Sequence, residues 1–217
     1  MSIIALDIHP QCKFSCFAAN DKQCVHHPHE IVPELNYQST FADKRVLVES
    51  QPDNHLHDFC SSFFQRHDTP RFLQESDSHF GQYVQHCQSN GLLSGLPNPA
   101  DYDYSIETDS ILHGACFHDT CEHVSNGLVQ WLHSHHTHTV IVGGLTTEHA
   151  VRKTVEQLCR IKTWQVIVNL GACRGYTPKS TLNAIYSMRA AGAHVVADAS
   201  ALPQILAGSP FAARRTA

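Results

Sequence analysis

The chain has 217 residues, 42% of them hydrophobic, which is enough for one sizeable core and excludes a disordered, collagen-like or disulfide-stapled class. Its formal net charge is -5 and its 15 Lys and Arg residues are scattered, so no basic stripe marks a nucleic-acid surface. No apolar run approaches the roughly 20 residues of a membrane span, so the partner expected is a small molecule, with no nucleic acid and no membrane.

Taken in chain order, Ile3–Asp7 reads as a buried strand, and the apolar run around it is too short for a signal-peptide core. Nine cysteines (Cys12, Cys16, Cys24, Cys60, Cys87, Cys116, Cys121, Cys159 and Cys173) show no paired spacing, which predicts free thiols and a reducing cytoplasm. Arg45–Glu49 is the second strand. Residues 50–100 are polar, Phe- and His-rich and weakly periodic, and read as loops and short helices walling a pocket. A helix in "HVSNGLVQWLHSHH" gives way to a strand at Thr139–Gly143, and the histidines at 133–139, like "VHHPHE" at 25–30, read as solvated connections. Then "VGGLTTEHAVRKTVEQL" turns tightly from strand into helix, with Val151, Val155, Leu158 and Cys159 at helical spacing. Gln165–Asn169 is another strand. Pro178 opens a helix bearing Leu182, Ile185 and Met188 and stopped by Gly192, before a last strand at His194–Ala197.

This alternation predicts one α/β domain over 1–217: a three-layer α-β-α, doubly wound, mostly parallel sheet of Rossmann-like form, with right-handed crossovers. Its ligand crevice should lie at the C-terminal strand ends, where Asp7, Glu49 and the 144–150 turn converge.

The same segments resemble the isochorismatase-like cysteine hydrolases, and most of all their nicotinamidase branch. The likeness is densest in "VIVGGLTTEHAVRKTVEQL" and "QVIVNLGACRGYTPKSTLNAIYSMRAAGAHVV", with support from "ALDIHPQCKF", "EIVPELN", "LPNPADYD" and "HGACFHD". It implies an Asp, a Lys and a Cys nucleophile for amide hydrolysis: a thiol is mostly protonated at neutral pH, and a helix N-terminus and a cation are needed to lower its pKa. Backbone donors at the turn around Thr146 would hold the oxyanion. Carried over, Asp7 matches the Asp, Glu148 stands two before the nucleophile, and Ala150 takes the place of the Cys. No lysine lies between Lys44 and Lys153, so Thr108 or a gap replaces the catalytic Lys.

The resemblance also implies a divalent metal such as zinc, iron or manganese, held through Glu49, Gln51, His55 and His86. Gln51 is a poor exchange for imidazole, so such an ion would be weakly held. His113 and Cys116 line the expected pocket, and a homo-oligomer is implied as well. Three readings follow: a diverged member that binds a ligand or partner without hydrolysing amides, an isochorismatase-type hydrolase with Asp7 as general acid, and an amidase with a relocated thiol such as Cys116. A thiol restored at position 150 is expected to gain some thiolate character from the helix terminus.

Overall fold

The computed structural model describes residues 2–14, 24–50, 91–108, 114–117 and 122–208. Gln51, His55, His86 and His113 lie outside them, as does the 51–90 part of the expected pocket wall. The described strands are β1 (Ser2–Ile8), β2 (Lys44–Ser50), β3 (Tyr104–Thr108), β4 (Thr137–Leu145), β5 (Gln165–Arg174) and β6 (His194–Val196). All pair in parallel in the order β3-β2-β1-β4-β5-β6. The helices are α1 (Val32–Ser39), α2 (Leu128–Ser134), α3 (Arg152–Ile161), α4 (Pro178–Ala190) and α5 (Leu202–Ala207).

Strand alternation explains the three layers. Ile4, Leu6, Ile8, Val140 and Val142 pack with Leu128 and Leu132 of α2, Val155 and Leu158 of α3 and Met188 of α4 on one face. Ile3, Ile141 and Ile167 pack with Leu202 of α5 on the other, where Leu35 of α1 also lies among apolar neighbours. Burial on both faces is why β1 and β4 read as unbroken apolar runs.

The strand missing from the sequence reading is β3. It is an edge strand whose buried Ile106 and Thr108 alternate with exposed Ser105 and Glu107, so it carries no apolar run. The helix expected across 123–136 begins only at Leu128, because Gly127 is in the left-handed region (φ 93°) and Asn126 Oδ1 accepts the Leu128 N–H at 3.2 Å. The start of α4 is as expected: Pro178 occupies the first turn and Thr177 Oγ1 accepts the Ser180 N–H at 3.1 Å.

The expectation of unpaired cysteines is corrected at two positions. Cys12 and Cys24 are disulfide-bonded, whereas Cys116, Cys159 and Cys173 are free. Unfolded but unreduced protein treated with iodoacetamide should therefore stay unmodified at Cys12 and Cys24 until reductant is added, as peptide mass mapping would read. Alkylation of both without reductant would contradict the pairing. Among the described residues, no helix is long and apolar enough to cross a membrane.

Candidate functional site at the strand ends

The chain runs from β1 outward to β2 and β3, then returns to β4 on the other side of β1. That reversal opens the crevice of an open α/β sheet between the C-terminal ends of β1 and β4. The two strands approach closely there. Ile8 pairs with Gly144, whose φ of 134° suits glycine, and a Cβ at Gly144 would collide with the Ile8 carbonyl.

After β4 the chain passes a cis Leu145–Thr146 peptide and coils through Thr147–Val151 into α3. The Thr146 carbonyl accepts the His149 and Val151 N–H groups at 3.1 and 3.3 Å, which ties the turn. Ala150 is 1% exposed and packs in the cluster with Ile4, Leu6 and Ile8, while its carbonyl accepts the Thr154 hydroxyl at 2.7 Å. Position 150 thus presents a buried methyl group. Glu148 serves as a clamp: its Oε1 accepts the Tyr176 N–H and the Ser180 hydroxyl, both at 2.7 Å, fastening the turn to the start of α4.

Asp7 is not brought to this turn. It sits on the opposite sheet face from Leu6 and Ile8, fully buried, and its Oδ2 accepts Arg45 Nε at 2.8 Å and the Tyr102 hydroxyl at 3.1 Å. Arg45 Nη2 lies 2.7 Å from the same oxygen, Nη1 donates to Asn36 Oδ1 at 3.0 Å, and the guanidinium stands over the Tyr102 ring at 5.2 Å. Burial pushes the Asp7 carboxyl above its ordinary range; Arg45, Tyr102 and Gln38 pull it back. Arg45, Tyr102 and Gln38 were not singled out in the sequence. The signal available was the basic pair Lys44 and Arg45 opening the second strand, but the partner of Arg45 depends on register.

The polar residue just past the end of β1 is His9, whose ring reaches across the end of β2 toward β3. One residue past β1, it is 0% exposed, its N–H donates to the Val48 carbonyl at 2.7 Å, and its ring meets Phe14 edge-on at 6.0 Å. Thr108, at the end of β3, is also buried and has Oγ1 3.4 Å from His9 Nε2. Thr108 thus sets a hydroxyl against an imidazole. His9 could have been found by the rule that strand-end polar residues line the crevice.

Burial lowers the His9 pKa from 6.5 to about 3, with the Lys13 charge adding to the effect. In the unfolded chain the imidazole takes its proton near the ordinary value, so the unfolded state binds more protons between the two. The stability of the neutral ring is therefore complete above the ordinary value and lost as pH falls toward the folded one. Chemical denaturation should show wild type losing about 2 kcal/mol more than His9→Gln between roughly pH 6.5 and 5. An equal loss in both proteins would contradict a buried neutral His9.

Cys116, the thiol considered as a relocated nucleophile, is 0% exposed with its pKa raised by burial to about 12, a packed and unreactive group. Its backbone N–H donates to Gln157 Oε1 at 3.3 Å, and the Ala115 N–H donates to Thr154 Oγ1 at 2.8 Å, so the segment is docked on α3. Glu49 is the one described member of the expected metal set. Its half-buried carboxyl is raised by desolvation, and the Ser105 hydroxyl lies 3.4 Å from Oε2. Among the described residues no three His, Cys, Asp or Glu side chains converge as a metal cage.

No protein-family model and no curated protein sequence matches the chain. Solved structures do. PnC1 from L. infantum in complex with nicotinate superposes at a TM-score of 0.64 with 18% identity, covering 92% of this chain and 94% of that one. The Acinetobacter baumanii nicotinamidase/pyrazinamidase gives 0.64 and 18%, covering 92% and 97%. An isochorismatase family protein from Desulfovibrio vulgaris gives 0.61 and 17%, covering 94% and 98%. The chain therefore has the isochorismatase-like α/β three-layer fold.

Proposed function

We propose that this protein is a diverged member of the isochorismatase-like superfamily that binds a small-molecule ligand or a partner at its strand-end crevice and does not hydrolyse amides. The observation that carries this reading is Ala150. At the turn where nicotinamidase-like proteins are understood to hold a thiol, this chain has a methyl group packed into the core. The surroundings support it: the Asp7 carboxylate is tied to Arg45 and Tyr102, and no lysine lies between Lys44 and Lys153. Hydrolysis by thiolate attack needs a nucleophile, a base and a cation acting together, and each is lost or engaged elsewhere. A homo-oligomer is part of the reading, by resemblance.

One observation favours the isochorismatase-type alternative: burial raises the Asp7 carboxyl, the direction a general acid needs. Against it, Asp7 faces α1 and its Oδ2 is held by two nitrogens of a guanidinium. A carboxylate so paired is a structural anion. Native mass spectrometry after incubation with a metabolite mixture tests the choice. Retention of an unaltered small molecule is expected; conversion of a mixture component, abolished by Asp7→Asn, would favour the general-acid reading.

A further inference from the structure

The end of β4 does not lie bare. Leu145, its last residue, is fully buried in a cluster with Cys12 and Phe14 from just after β1, Val25 from ahead of α1, and Leu93 and Leu96 from ahead of β3. These residues form a cap drawn from three segments distant in sequence. Leu145 directly precedes the Thr146 turn, so the cap lies over the strand ends where open α/β sheets take their ligands.

The cap is built unlike the rest of the molecule. Its segments, 10–14, 24–31 and 91–96, hold no strand and no α-helix, only tight turns at Cys12–Phe14 and Pro28–Ile31. Backbone bonds between them are few: the Cys12 N–H donates to the Gly91 carbonyl at 2.8 Å, Leu93 to Pro10 at 3.0 Å and Val25 to Phe14 at 2.7 Å. The two helix-covered faces of the sheet pack through other residues, so the cap can come away without dismantling them. A unit with so little regular structure opens more readily than the whole fold.

What the cap has instead is covalent. Cys12 is fully buried, Cys24 is 6% exposed, and both are disulfide-bonded. A disulfide works mainly by removing freedom from the opened chain, typically enough to change an opening equilibrium about thirtyfold or more.

We infer that the strand-end cap is a redox-operated cover, closed over Leu145 and the Thr146 turn while Cys12 and Cys24 are bonded and opening as a unit when they are reduced. For each S–S bond broken, a dithiol gives two electrons and two protons and becomes a disulfide, and the protein gains two thiols. An oxidising setting keeps the cap closed and a reducing one releases it. That release admits a ligand rests on the reading of the strand ends as a binding site.

The test is amide hydrogen exchange on the oxidised protein and on the same protein held natively in dithiothreitol, with peptide mass mapping to confirm that Cys12 and Cys24 have become thiols. Reduction should speed exchange about thirtyfold at 11–14, 24–31, 91–96 and 145–149, leave 140–142 and 166–168 unchanged, and reverse on reoxidation. Cys24→Ala should exchange faster at 24–31 without reductant. Should that variant fail to fold, the two states of the wild type still decide. Unchanged exchange over the cap, an equal rise through the central strands, or bonds that resist dithiothreitol in the folded protein overturns the inference. Release of the cap with no small molecule retained from a metabolite mixture in either state supports the cover and overturns the binding reading instead.

Discussion

Arg45→Ala is expected to destabilise the protein by about 3–5 kcal/mol, lowering the thermal midpoint by roughly 6–20 °C. The cause is the charge left behind. Asp7 is fully buried, and Arg45 is 13% exposed at its side chain. Removing the guanidinium leaves a buried carboxylate beside the Tyr102 hydroxyl and Gln38 and, among the described residues, without its cation. The pair itself contributes far less than this, because desolvating two ions consumes most of their attraction. The double variant Asp7→Asn with Arg45→Met should therefore recover more than half of the loss. Thermal melts of the three variants give the coupling directly. A cost below about 1 kcal/mol for Arg45→Ala would mean that the pair behaves as a solvated surface bridge.

Ala150→Cys is expected to leave amide turnover at background. The helix terminus favours a thiolate, but the site works against it. The Ala150 side chain packs among Ile4, Leu6 and Ile8, and comparable burial raises Cys116 to about 12. At that pKa a thiol is ionised to about one part in 10⁵ at neutral pH. No lysine lies between Lys44 and Lys153, Lys153 itself is paired with Glu122 at 2.8 Å, and Asp7 faces the other side of the sheet. Groups that act as a unit recover little when one is returned. Adding Thr108→Lys should not rescue it either, because the new ammonium would enter a buried position beside neutral His9. The introduced thiol should react with iodoacetamide no faster than Cys159, whose pKa is raised to about 11. Faster alkylation at 150 would show that the turn opens to solvent, and nicotinamide turnover by Ala150→Cys alone would show a cation source already present at the crevice.

The sheet was largely legible because its inner strands are buried on both faces. Val140, Ile141 and Val142 all find apolar neighbours, so β4 shows as a continuous run, and the same holds for β1, β2 and β5. Tyr104–Thr108 was illegible because an edge strand with one wet face writes only alternate residues in apolar letters. The turn at 146–150 was readable from glycines and threonines between a strand and a helix, and so was the methyl group of Ala150 within it. The fate of Asp7 was not. Whether a strand-end carboxylate faces the crevice or the helix layer depends on its parity within the strand, and its capture by Arg45 depends on register between strands distant in sequence.

Ammonia release from nicotinamide by the wild-type protein, measured after repurification against a no-protein control, tests most directly whether this crevice hydrolyses amides. The expected result is no release above that control across neutral pH, with unchanged nicotinamide recovered. Release that persists through repurification and disappears in Asp7→Asn would contradict it, because a carboxylate tied to Arg45 and a methyl group at position 150 would then have to be parts of a working hydrolase.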